Sequence, residues 1–217
     1  MKKFILTGVT KEFFGVTLHQ IKAVRSFDDI EKDELGGWVE KEDNLSHEGN
    51  AWVSGNAQVS GNAQVSGDAW VSGNAQVSGD ARVCGDARVY GDARVYGNAW
   101  VSGNAWVSGN AQVCGDARVY GNAWVCGDAW VESRKHIAWF SSVGSENGTL
   151  TAYLIKTGEI EVTRGCFRGT LDQFEATVKG RHGDNRHAEE YLVLIQYIRL
   201  RFREATVTVT AEEVEEE

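Results

Sequence analysis

Fourteen consecutive hexads of the form Gly-[Asn/Asp]-Ala-x-Val-[Ser/Cys/Tyr/Glu] run from Gly49 to Glu132 without an insertion. Self-similarity at a fixed short period defines a solenoid, in which each unit buries its apolar side only by stacking on its neighbours. Within a hexad, Gly and the following Asn or Asp tolerate positive φ and turn the chain at a corner. Ala and Val, two positions apart, alternate as one buried face of a short strand, which leaves x pointing outward. A core built this way is a narrow column of Val and Ala, and the crowding at its inner corner accounts for the invariant Ala.

The repeat resembles the hexapeptide superfamily of left-handed parallel β-helices, with an aliphatic residue followed four positions later by a small one throughout Gly49–Glu132. The resemblance implies a mainly β fold, a left-handed hand and a triangular section, with three hexads closing one coil of eighteen residues. Fourteen hexads then make just under five coils, and stacking at ~4.8 Å gives a prism roughly 22 Å long. Four regions follow. Residues 1–36 form an N-terminal β cap, 37–132 the β-helix with its strict repeat at 49–132, 133–203 a C-terminal α+β module, and 204–217 an acidic tail.

In the cap, short strands are expected around Phe4-Ile5-Leu6, Phe13-Phe14-Gly15-Val16 and Ile21-Lys22-Ala23-Val24, with a turn or one helical turn at Ser26–Ile30. Leu35–Val39 and Asn44–Ser46 echo the repeat as an atypical first coil. Solenoids need such caps because an open end exposes both the core and unpaired strand edges. Beyond Val131 the period stops. A strand is expected at His136–Val143, and a hairpin pairs Leu150–Ile155 with Glu159–Thr163. A helix begins at the capping box Thr170-Leu171-Asp172-Gln173 and stops at Gly180. A second runs from about Arg186 to Phe202 on an apolar stripe of Tyr191, Leu194, Ile195, Ile198 and Phe202.

Stacking by eighteen sorts the outward residues into three columns: Trp52-Trp70-Arg88-Trp106-Trp124, Gln58-Gln76-Arg94-Gln112-Trp130 and Gln64-Arg82-Trp100-Arg118. The first reads as an exposed aromatic stripe, so Trp52, Trp70, Trp106 and Trp124 are expected to face another chain. Cyclic trimers are common in the resembled superfamily, which implies a homotrimer. The competing reading is that these side chains only brace neighbouring strands by ladder and cation–π contacts.

One belt differs from the rest. Arg82, Arg88 and Arg94 fall in consecutive hexads, with Tyr90 and Tyr96 beside them and Trp100, Trp106 and Arg118 above. Planar donors next to stacking surfaces suit a nucleotide or another phosphorylated aromatic ligand, held in the grooves between subunits. The expectation is a non-enzymatic binding protein that sequesters a small anionic ligand, such as a nucleotide signal of host defence. A plain scaffold, with these arginines merely offsetting Asp80, Asp86 and Asp92, is the alternative.

The best-known members of the resembled superfamily are acyltransferases, which need a histidine base at the prism wall and a loop that breaks the coil. The strict repeat has neither, and His47 sits only at its edge. A second candidate group is Cys166, Arg168, His182, Asp184 and His187, a cysteine with two histidines that invites a nucleophile reading. It lacks a third orienting group at a diagnostic spacing, and Asp184 or Asn185 also suits a helix N-cap. Neither a metal site nor a cofactor is expected, since no Cys/His cluster has zinc spacing.

A formal charge of −9 argues against general nucleic-acid binding. No apolar run is long enough for a bilayer, and the polar start lacks a secretory leader. Cys84, Cys114 and Cys126 do not fall into eighteen-residue register, which argues against disulfides and for the cytoplasm. The segments Gly36–Glu40, Asn44–Asn50, Gly165–Leu171 and His182–Asp184 resemble uncharacterised bacteriophage and prophage proteins, which implies a bacterial host cytoplasm.

Overall fold

A computed structural model describes residues 1–205 and Val207. The acidic tail read at 204–217 lies almost wholly outside the described residues.

The N-terminal region is a β hairpin that grows into the solenoid. Strand β1 (Phe4–Phe13) pairs antiparallel with β2 (Val16–Ala23), and β2 pairs antiparallel with β3 (Leu35–Val39). The stretch Phe13–Val16, expected as a strand, is instead the hairpin turn, with Phe14 at φ 47° and Gly15 at φ 76°. Ser26–Ile30 makes a tight turn without helix, in which Phe27 and Ile30 exchange backbone hydrogen bonds of 3.0 and 2.9 Å. Strand β3 then runs parallel to Gln58–Val59, so the cap sheet continues directly as one wall of the prism.

Each hexad contributes one two-residue strand, x-Val, numbered in order from β4 (Trp52–Val53) to β17 (Trp130–Val131). Partners lie eighteen residues apart, as in Trp52↔Trp70, Gln58↔Gln76 and Gln64↔Arg82. The three outward columns read from the sequence are therefore the three parallel sheets of a β-solenoid. Every Ala and Val of the repeat is buried, forming one continuous core from Phe4 to Tyr153. At one corner, side-chain amides climb from coil to coil: Asn56 donates to Asn74 at 3.2 Å and Asn74 to Asp92 at 3.0 Å. Such side-chain ladders add to the cohesion of stacked strands.

Both ends are closed by residues that satisfy the outermost backbone groups. On the three walls the carbonyls of Ala51, Ala57 and Ala63 accept from Lys3 Nζ at 2.7 Å, the Trp38 amide at 2.9 Å and Asn44 Nδ2 at 2.9 Å. At the other end the last strand of the Trp column has no coil above it. There Trp124 donates its N–H to Thr151 Oγ1 at 3.0 Å, and its carbonyl accepts from Thr163 Oγ1 at 2.8 Å. Both threonines are buried, as they must be to stand in for a strand.

The C-terminal module is an antiparallel sheet of β18 (Ile137–Val143), β19 (Gly148–Leu154), β20 (Ile160–Arg164) and β21 (Phe167–Thr170), followed by α1 (Leu171–His182) and α2 (Arg186–Phe202). Strand β21 was not foreseen. Thr170 and Gln173 form the expected capping box, but α1 passes through Gly180 and ends at Gly183, whose φ is 55°. Asn185, not Asp184, caps α2 by accepting from the amides of His187 and Ala188. The helices cover the sheet around Leu150, Leu154, Phe174, Tyr191, Ile195 and Ile198, a core separate from that of the solenoid.

Candidate functional site

Successive hexads occupy successive walls, so Arg82, Arg88 and Arg94 point away from three different faces and do not converge within one chain. Each has its own surroundings. Arg88 lies over the Trp106 ring at 5.7 Å, and Tyr90 meets the same ring edge-on at 6.2 Å. Arg94 and Tyr96 share a depression of about 240 Å³ with Gln76 and Gln112, and the Tyr96 hydroxyl donates to Gln112 Oε1 at 3.0 Å. On the third wall Arg82 is exposed one coil below Trp100, which packs under the Arg118 guanidinium at 5.4 Å and donates from Nε1 to Cys84 Sγ at 3.1 Å.

The tryptophan column is not uniformly exposed. Trp52 is 0% exposed, enclosed by the cap, with Phe27 edge-on at 5.4 Å, so it presents nothing to another chain. Trp70 is half-buried against the solenoid core. Only Trp106 and Trp124, at 40% and 36% exposed, form the outward stripe, with their rings edge-to-face at 6.1 Å. Trp100 on the adjoining wall is exposed to a similar degree.

The second candidate group is split by the fold. Cys166 and His182 line a pocket of about 170 Å³ with Arg164 and Arg181. His187 packs against His182 with centroids 5.9 Å apart, and Asp184 is an exposed loop residue outside the pocket. Among the described residues, no hydrogen bond joins Cys166 to either histidine. Arg168 leaves the group altogether. It donates from Nε to Glu161 Oε1 at 2.6 Å, Glu161 accepts from the Tyr153 hydroxyl at 2.8 Å, and that hydroxyl lies 3.4 Å from Cys126 Sγ. This chain of contacts joins the module to the last coil. Burial pushes the Cys126 thiol and the Tyr153 hydroxyl up, keeping both protonated, while the Glu161 hydrogen bond raises the Arg168 guanidinium further.

A concave site of which sequence reasoning named only Arg118 lies where the last coil meets the module. Arg118 and Tyr120 from the solenoid, Arg134 and Trp139 from the chain leading into and along β18, and Tyr197 and Arg201 from α2 line a cleft of about 310 Å³. Tyr120 packs edge-on against Trp139 at 4.3 Å, and Phe140 against Tyr197 at 5.7 Å. Arg201 is locked in place: Nη2 donates to the Arg134 carbonyl at 2.7 Å and to that of Ile137 at 3.3 Å. The signal available in the sequence was the pair Tyr197 and Arg201, four residues apart on one helix face.

The coils match the YdcK beta solenoid repeat. Its family model covers residues 57–73, 63–79, 75–91, 81–96, 87–103, 93–109 and 111–129, windows whose starts differ by multiples of the hexad. No curated protein matches the chain. Among the described residues, no group of His, Cys, Asp and Glu is arranged to hold a metal ion, and no helix is long and apolar enough to cross a membrane.

Proposed function

We propose that the protein is a non-enzymatic binding module, a rigid capped solenoid that assembles as a homotrimer through its outward indoles. The observation that carries this reading is the pair Trp106 and Trp124, held edge-to-face on a flat wall and left 40% and 36% exposed. Indoles fixed in this way bury large area at little cost in side-chain entropy when a second surface covers them. Arg88 beside them supplies charge at the rim of the patch. The separation of Cys166 from a hydrogen-bonded base supports the non-enzymatic reading. The resemblance of Gly36–Glu40, Asn44–Asn50, Gly165–Leu171 and His182–Asp184 to bacteriophage and prophage proteins supports a bacterial cytoplasmic setting.

Sedimentation velocity over a range of concentrations tests the assembly. The wild-type chain is expected to sediment as a trimer and the double variant Trp106→Glu/Trp124→Glu as a monomer. A wild-type chain that stays monomeric, or a double variant that stays trimeric, overturns the reading. Sequestration of a small phosphorylated ligand is a second reading, favoured by the arginine-lined cleft.

A further inference from the structure

We propose that the cleft between the last coil and α2 binds a planar aromatic phosphate of mononucleotide size. The proposal rests on the binding-module reading but not on the trimer, because every lining residue comes from one chain.

Three observations carry it. The first is charge: Arg118, Arg134 and Arg201 line the cleft, none of its lining residues is acidic, and among the described residues no carboxylate pairs with these three guanidiniums. In a chain of formal charge −9, three uncompensated arginines at one concavity make a local positive field suited to an anion. The second is shape. Two edge-on ring pairs, Tyr120 with Trp139 and Phe140 with Tyr197, belong to the lining and supply aromatic surface for a planar group. A volume of about 310 Å³ lies at the small end of the range for small-molecule sites, enough for one nucleotide and too little for an extended polymer.

The third is preorganisation. Arg201 spends Nε and Nη2 on the carbonyls of Ile137 and Arg134, which fixes the guanidinium plane and leaves the Nη1 group over. Arg118 is steadied by the Trp100 ring beneath it. An anion that enters therefore meets donors already oriented, and little side-chain freedom remains to be lost. The same two contacts tie ligand binding to the seam: Arg201 belongs to the module, Arg118 to the solenoid, and a bridging phosphate engages both.

Isothermal titration calorimetry of the intact chain with AMP, adenosine and inorganic phosphate tests the site. AMP is expected to bind with an affinity that falls as salt is raised, adenosine and phosphate each more weakly. Arg118→Gln and Arg134→Gln are each expected to weaken AMP about tenfold, one lost charge-assisted contact. Arg82→Gln, two coils below on the same wall, is expected to leave it unchanged. Circular dichroism melting of the variants checks that the fold persists. Absence of AMP binding, or binding equal in Arg118→Gln, Arg134→Gln and wild type, overturns the proposal. The trimer reading is scored separately, since Trp106→Glu/Trp124→Glu is expected to bind AMP as wild type does.

Discussion

Lys3 Nζ donates to the Ala51 carbonyl oxygen at 2.7 Å, so the outermost carbonyl of the tryptophan wall is closed by an ammonium where the other two walls use an amide. Burial, and then the nearby Arg25 guanidinium, push this ammonium down to about 8 from 10.5. The unfolded chain therefore holds one more proton than the folded chain between about pH 8 and 10.5. Stability contributed by this group rises with pH through that window. Urea unfolding midpoints followed across it should show wild type gaining relative to Lys3→Met. Parallel curves would contradict the placement of a charge at the mouth of the solenoid.

Trp52 and Trp106 occupy equivalent positions in one column, yet truncating them should have consequences of very different size. Trp52 is fully enclosed by the cap, so Trp52→Ala leaves a cavity and is expected to cost ~3–5 kcal/mol. Trp106→Ala removes ring contacts at the surface and is expected to cost about 1 kcal/mol. Chemical denaturation of both variants decides the matter, and similar losses would mean that the cap does not seat as described.

Two glycines offer a similar contrast. Gly85 turns a corner at φ 69°, and an added Cβ would lie 2.9 Å from the Gly103 amide nitrogen. Gly85→Ala is expected to destabilise by ~1–3 kcal/mol. Gly180 sits inside α1 with nothing within 4 Å of an added Cβ, and Gly180→Ala is expected to stabilise by ~0.5–1 kcal/mol. Thermal melts of the two variants should move in opposite directions.

His136 is buried at the seam, and that burial holds its imidazole below 6.5, against the opposing pull of Glu132, the Trp130 backbone and Asp116. The unfolded chain takes up the proton first as pH falls, so this contribution to stability is lost below about pH 6.5. Wild type is expected to lose stability relative to His136→Gln on acidification through that point. Equal losses in the two proteins would assign the acid sensitivity elsewhere.

The solenoid could be read from sequence because its information is one-dimensional. A Val every six residues marks strands, corners and core without any long-range knowledge, and the resemblance to the hexapeptide superfamily supplies the eighteen-residue coil that pairs residues such as Gln58 and Gln76. Helix α2 was equally plain, since its stripe from Tyr191 to Phe202 repeats within one segment. What the sequence hid depends on contacts between distant segments. The burial of Trp52 comes from Phe27, which belongs to no repeat. Arg168 stands near Cys166 in sequence, but it pairs with Glu161 across two adjacent strands and leaves the cysteine behind. The arginine cleft joins Arg134 to Arg201 across 67 positions, a separation that no local pattern encodes. Gly180 was misread for a different reason: a glycine ends a helix by adopting positive φ, and only Gly183 does so.

The Trp124 edge that receives Thr151 and Thr163, and the Ala51 edge that receives Lys3, are repeated in form by every coil between them. Coil number is thus a free parameter, and the chain behaves as a ruler with a defined phase. Excising three whole hexads moves the two ends closer by one strand spacing, ~4.8 Å, and keeps their relative orientation. Excising a single hexad instead turns the C-terminal module onto a different wall. Lineages that lengthen or shorten such a chain while keeping both ends aligned should therefore do so in steps of eighteen residues.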